Sequence, residues 1–347
     1  MVDEAKAQLA KQFPVTDLGT AHFFLGIEII RKRDTHQITL CQAEYIKKIL
    51  ERFNLADAYT VSTPLNPGSK LEGTPDDAEE EEAVDETVYR SMIGSLMYLM
   101  LCTRRDIAFA VGALSRYSSL PRTSHMNAAK HLLQYVKKTA HIGLRFGPFA
   151  TRDLRPILYS DADWAGDLDT RKSTGGYVCV LTERDSQGEP ILSAVSWSSK
   201  RQQTVALSST EAEYMALTQA AKEAIWVSRF LRELQGIREN TNLNNITDPA
   251  SENSTHTPEP VISKIQNPAR KTCIYVDNQG SIALARNPEF HARTKHIAIQ
   301  EHYVREKVTS GEIELEYLHT GDMIADCLTK NLSREKVERF RTAMGLH

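Results

Sequence analysis

The chain lacks paired cysteines, long apolar runs and a glycine-rich phosphate loop, and each lack removes a class of protein. Its five cysteines, Cys41, Cys102, Cys179, Cys273 and Cys327, are scattered, odd in number and never spaced C-x-x-C. That distribution argues against both a disulfide framework and a zinc knuckle. Reduced, intracellular surroundings, cytoplasmic or nuclear, are the expectation. No charged-then-apolar leader opens the sequence, and the most apolar stretch, residues 92–102, is too short to span a bilayer. Neither secretion nor a membrane segment is expected. Gly-x-x-x-x-Gly-Lys, Gly-x-Ser-x-Gly and His-Glu-x-x-His are all missing, so three common catalytic frameworks have no foothold.

What remains is ordinary for a globular, multi-domain protein: 347 residues, 41% apolar and 25% charged. The formal net charge of −3 hides an uneven distribution. Residues 72–86 hold nine acids and no Lys or Arg, so without that block the chain stands at +6. Net charge therefore does not exclude a polyanionic substrate.

Two compositional breaks divide the chain. Residues 64–88 carry turn formers and acids without an apolar period, which predicts an exposed loop. Residues 240–269 are rich in Asn, Thr, Ser and Pro, which predicts a disordered surface insertion. Before the first break, residues 23–29 and 37–40 read as two strands around a charged turn, and 43–53 as a helix. Apolar residues at three- and four-residue intervals over 89–138 predict three packed helices. From residue 155 the pattern becomes βββαβαβα, with strands at 156–161, 175–181, 191–198, 272–276 and 312–318. Helices are expected at 209–234, 280–286 and 294–308, with a last helical pair over 322–344. The fold class is α/β: a five-stranded mixed sheet, an antiparallel meander with later parallel additions, and helices on its faces.

Four acids stand out by context. Asp161 and Asp277 each directly follow an apolar β run, Leu158-Tyr159-Ser160 and Ile274-Tyr275-Val276, whereas Glu213 and Asp326 sit on helical patterns. If the first strand is central, Asp161 lies at its carboxyl end, where open α/β sheets place ligand sites, and Asp277 ends a strand that can lie beside it. Carboxylates that cannot neutralise one another are most simply held by divalent cations, and Mg²⁺ prefers such oxygens. Two Mg²⁺ ions about 3.5–4 Å apart, or Mn²⁺ in their place, would suit phosphodiester hydrolysis.

The segments Ser160-Asp161-Ala162-Asp163-Trp164-Ala165-Gly166, Ser173-Thr174-Gly175-Gly176-Tyr177, Val195-Ser196-Trp197-Ser198-Ser199-Lys200, Ser208-Ser209-Thr210-Glu211-Ala212-Glu213-Tyr214, Asp277-Asn278-Gln279-Gly280-Ser281, Arg293-Thr294-Lys295-His296-Ile297 and Ala325-Asp326-Cys327-Leu328-Thr329-Lys330 resemble the ribonuclease H domain of copia-type LTR retrotransposon Pol polyproteins. Upstream, Asp17-Leu18-Gly19 with Phe24-Leu25-Gly26-Ile27 resembles the end of a reverse transcriptase palm. Tyr89-Arg90-Ser91-Met92 and Thr103-Arg104-Arg105-Asp106-Ile107 resemble its thumb and connection. The resemblance implies a palm remnant over residues 1–63, an acidic linker over 64–88, a helical thumb and connection over 89–147, and a ribonuclease H-like domain over 153–347.

It also implies roles. Glu213 is favoured over Glu211 because the metal ligand in such helices directly precedes a large apolar residue, here Tyr214. Asp161 is favoured over Asp163 because the first ligand follows a Tyr-x pair; Glu211 and Asp163 remain alternates. His319, upstream of Asp326, would help the leaving group depart. His296 and His302, six apart, do not share a helix face and are not expected to bind metal. Phosphate contacts are expected from Arg171, Lys172, Lys200, Arg201, Arg293, Lys295 and Arg305, which would position an RNA–DNA hybrid without reading its sequence. Its RNA strand would be known by 2′-hydroxyls. No Tyr-x-Asp-Asp turn occurs, so the polymerase carboxylates, with the fingers and most of the palm, are expected to be absent. Two functions follow as expectations: a Mg²⁺-dependent ribonuclease H without polymerase activity, or an inactive retroelement remnant that binds nucleic acid or protein.

Overall fold

A computed structural model describes residues 2–69, 71–73, 84–147, 154–184, 190–243, 271–287 and 298–347. Most of the 240–269 insertion, the centre of the acidic block, Arg293 and Lys295 lie outside the described residues. Helix α1 (Val2–Gln12) is followed by strands β1 (Phe23–Phe24), β2 (Ile27–Lys32) and β3 (Gln37–Cys41) and helix α2 (Ala43–Arg52). Helices α3 (Glu86–Cys102), α4 (Ala108–Ser115) and α5 (Thr123–Lys138) come next. Asp85 starts α3 by accepting from the backbone N–H groups of Thr87 and Val88 at 2.8 and 3.1 Å, which satisfies two of the otherwise unpaired donors of its first turn.

Strand β4 (Leu144–Phe146) then returns to pair antiparallel with β3, completing a four-stranded sheet in the order β1-β2-β3-β4. Neither α1 nor β4 was expected. Three residues are too few to show a period, and α1 is exposed over its whole described length, so it carries no strong apolar stripe.

The second half is the expected α/β unit. Strands β5 (Arg155–Ala162), β6 (Thr174–Arg184) and β7 (Pro190–Arg201) form an antiparallel meander, and β8 (Thr272–Val276) and β9 (Ile313–Tyr317) add parallel to β5 in the order β7-β6-β5-β8-β9. Helices α6 (Ser209–Leu243), α7 (Gln279–Arg286), α8 (Ala298–Thr309) and α9 (Arg334–Ala343) accompany it. The first member of the last helical pair is instead two 3₁₀ turns, Thr320–Asp322 and Ile324–Leu328, a geometry suited to such short pieces. Among the described residues no helix is long and apolar enough to cross a membrane.

Strand periodicity sends alternate side chains to opposite faces, and each face has its own core. Leu158, Cys179 and Ile274 pack with Tyr214, Leu217, Ala220 and Ala224 of α6. Val178, Val180 and Ala194 face the other way, into one apolar core with Tyr89 and Leu96 of α3, Leu114 of α4, Leu133 of α5, Leu328 and Phe340. The helices upstream of residue 140 therefore supply much of the layer covering one face of the five-stranded sheet.

Candidate metal centre

Side-by-side pairing of β5 and β8 puts Ser160 opposite Val276, so the next residues, Asp161 and Asp277, emerge together at the carboxyl edge of two parallel strands. The 3₁₀ turn Ile324–Leu328 brings the third acid. It can approach because Asp161 pairs with Gly176, and a Cβ on Gly176 would sit 2.8 Å from both Leu328 Cβ and Thr329 Cγ2. Glycine is required there for close approach. Asp161, Asp277 and Asp326 each offer a carboxylate oxygen, and these oxygens lie within 4.8 Å of one another.

Helix α6 approaches β5 and β6 through alanines; Ala212 and Ala216 pack with Ala162 and Ala206. That small-residue seam carries Glu213 near the group but not into its 4.8 Å cluster. Glu213 Oε2 is buried without a hydrogen-bond partner. Burial, with the charges of Asp161 and Asp277, pushes its carboxyl up to about 9. Burial likewise raises Asp161 to about 6, partly opposed by Lys330.

The two alternates have other partners. Glu211 accepts from Leu207 N at 2.9 Å beside the first turn of α6. Asp163 accepts from Thr174 N and is held against Gly166, whose Cβ would overlap its carboxylate; burial raises it to about 6. Neither joins the cluster.

Sequence reasoning missed two residues at the centre. Lys330 Nζ lies 3.2 Å from Asp161 Oδ1 and 2.8 Å from Asp326 Oδ1, and Thr329 Oγ1 donates to Asp161 Oδ2. Burial opposes the Lys330 charge, but the two carboxylates outweigh it and hold the ammonium above the usual lysine range. The signal was present as the i,i+4 spacing of Asp326 and Lys330. Lys336 adds a 3.6 Å contact to Asp326 Oδ2, and Thr320 donates to Asp277 Oδ2 at 2.8 Å.

His319, next to Thr320, is exposed, and its Nδ1 accepts from Gly321 N at 3.0 Å. In the neutral ring that contact leaves the proton on Nε2. Lys200 and Arg201 line a cavity of about 390 Å³ with Gly175, Gly176, Gln202 and Gln219, and Arg201 also pairs with Asp167 at 2.6 Å. Arg171 and Lys172 lie in the β5–β6 hairpin, Arg171 exposed. Arg305 instead donates to Leu284 O at 3.3 Å.

Converging hard oxygens, one buried carboxylate oxygen without a partner and few neutralising cations fit a divalent-metal site. Residues 1–67 match the family described as reverse transcriptase (RNA-dependent DNA polymerase). The whole chain is 38% identical over 351 residues to the retrovirus-related Pol polyprotein from transposon TNT 1-94 of Nicotiana tabacum. It spans 23% of that polyprotein's length. It is 31% identical over 222 residues, 64% of this chain, to a putative transposon Ty5-1 protein of Saccharomyces cerevisiae, covering 67% of that protein. A solved N-terminal RNase H domain from Mycobacterium tuberculosis, fused to maltose binding protein, aligns over 55% of this chain and 99% of that chain. At a TM-score of 0.27 and 11% identity, that likeness is too slight to bear weight.

Proposed function

This chain belongs to the Pol polyproteins of copia-type retrotransposons, and from that membership we propose that it cuts the RNA strand of RNA–DNA hybrids as a divalent-metal-dependent ribonuclease. The observation that carries the reading is the convergence of Asp161, Asp277 and Asp326 within 4.8 Å at the carboxyl edge of β5 and β8. These three acids would hold Mg²⁺ or Mn²⁺, with Glu213 completing the set. Cations held there would supply activation of a water and stabilisation of charge on the scissile phosphate.

The chain's own groups do the rest. Lys330 and Thr329 orient the Asp161 carboxylate. His319, through its Nε2–H, would be suited to hydrogen-bond the departing 3′-oxygen. Lys200 and Arg201 flank the adjoining cavity and would grip backbone phosphates, while Arg171 and Lys172 extend the same basic edge. The test is cleavage of an end-labelled hybrid with Mg²⁺ by the parent and by Asp161→Asn. Cutting by the parent alone supports the proposal; equal cutting by both, or none by the parent, removes it.

One observation favours a second reading. Lys330 bridges Asp161 and Asp326 and so already neutralises part of the cluster, as a binding module without turnover would allow. Hybrid binding with no cleavage at any Mg²⁺ or Mn²⁺ concentration would mark that case.

A further inference from the structure

The hairpin between β5 and β6 starts two residues after Asp161, and two of its non-glycine residues adopt left-handed backbone, Ala165 at φ 53° and Arg171 at φ 55°. Such conformations are disfavoured for L side chains and persist only where surroundings enforce them. Here part of the surroundings comes from outside the five-stranded sheet. Arg116, at the end of α4, reaches Asp167 Oδ2 at 3.3 Å and donates to Thr174 Oγ1 at 3.1 Å. Asp167 is buried and also takes Arg201 at 2.6 Å, while its other oxygen accepts from the N–H groups of Asp169 and Thr170 at 3.2 and 3.3 Å.

Tyr117 makes the second hold. Its hydroxyl is shared between Asp169 Oδ2 at 3.0 Å and Leu71 O at 2.9 Å, and Asp169 also accepts from Gly73 N at 2.9 Å. Ser69, nearby in sequence, touches the residue after Lys330: Asn331 Nδ2 donates to Ser69 O at 2.8 Å. A cavity of about 200 Å³ lies between these parts, lined by Ser69, Arg116, Tyr117, Asp163, Gly166 and Lys330.

We propose that Arg116 and Tyr117 are positioning residues for the metal centre: they clamp the strained Asp163–Thr174 hairpin through Asp167 and Asp169, so that the helical region is a working part of the nuclease. The inference rests on the nuclease reading for its kinetic consequence and on the clamp geometry alone for its structural one. Side chains that orient a metal site from behind typically change affinity or activity by about 10–100-fold when removed.

The experiment uses the full chain with Arg116→Ala, Arg116→Lys, Tyr117→Phe, Asp167→Asn and the Arg116→Ala/Asp167→Asn double variant. Hydrogen exchange at the Arg171 and Thr174 amides should quicken about tenfold in Arg116→Ala and Tyr117→Phe, with β8 and α6 unchanged. Calorimetric Mn²⁺ affinity should weaken about tenfold in Arg116→Ala. On a labelled hybrid kcat should fall by a similar factor with KM unchanged, Arg116→Lys should recover most of it, and the double variant should be no worse than either single change. Unchanged hairpin exchange, multiplicative losses, or a raised KM with intact kcat would overturn the clamp. A parent that never cleaves would remove the nuclease reading and leave exchange and Mn²⁺ affinity to decide the clamp.

Discussion

Two of the buried-charge clusters among the described residues, one on the helical side of the sheet and one at its carboxyl edge, are built by opposite rules. In the first, Arg104 is fully buried and donates to Asp106 through Nε at 3.0 Å and Nη2 at 2.8 Å, and to Thr139 O and Oγ1 at 3.0 and 2.6 Å. Tyr135 completes Asp106 at 2.7 Å. Burial works against the Asp106 charge, but Arg104 and Tyr135 outweigh it and hold the carboxyl below its usual range. In the second, Asp161, Asp277, Asp326 and Glu213 gather around Lys330, with Lys336 at the rim. Burial raises Asp161 and Glu213. A carboxylate whose partners are all in place serves the fold; an excess of acids, kept at a cost in stability, is what a site for a missing counter-charge requires.

The largest effects should therefore be opposite in kind. Asp106→Asn leaves Arg104 buried without its counter-ion and should lower stability by about 3–5 kcal/mol, read by denaturant unfolding. Asp161→Asn should lower hybrid cleavage by roughly 10²-fold or more while stability stays level or rises, since the carboxylate it removes is unfavourably buried. Equal destabilisation by the two substitutions would erase the distinction.

A middle-sized effect lies in the pH dependence of the metal-free protein. The folded value of Glu213, about 9, stands above its ordinary 4.5, so the folded state holds that proton more tightly. Its contribution is full below about 4.5 and is lost as pH rises through about 9. Asp161 acts with the same sign, between its ordinary value of 3.8 and about 6, which leaves pH 6.5–8.5 to Glu213. Over that window the parent should lose up to about 1.4 kcal/mol per pH unit relative to Glu213→Gln, and parallel stability curves for the two would refute it. Asp106 runs the other way, contributing above the ordinary carboxylate range and losing that contribution as pH falls.

The contrast also explains what could be read before the fold was known. Strand ends were legible because Asp161 and Asp277 each close an apolar β run, and an antiparallel meander with later parallel additions followed from turn signals and intervening helices, whereas the full strand order came only with the fold. Strand β4 was not legible, because its role depends on pairing with β3 across more than a hundred residues rather than on any local period. Lys330 was passed over because a lysine after a helical acid reads as a solvated i,i+4 pair; only the fold shows that its partner Asp161 lies 169 residues away in sequence. Arg116 and Asp167 were invisible for the same reason, since ion pairs between distant segments leave no spacing to detect.

The smallest effect concerns the two cations that answer these acids. Arg104 is wholly enclosed, whereas the Lys330 side chain is 35% exposed, so Lys330 can leave its carboxylates for water and Arg104 cannot. Lys330→Ala should then destabilise the metal-free protein by only about 1–2 kcal/mol, the scale of a partly screened charged hydrogen bond. The same substitution removes the group that competes for the Asp161 and Asp326 oxygens, so Mg²⁺ should bind it more tightly and raise its stability by more than it raises the parent's. Denaturant unfolding of both proteins with and without Mg²⁺ reads the difference. An equal Mg²⁺ increment in the two would mean that Lys330 and the cation do not share those oxygens, and the acid cluster would then be as closed a structural unit as the one around Arg104.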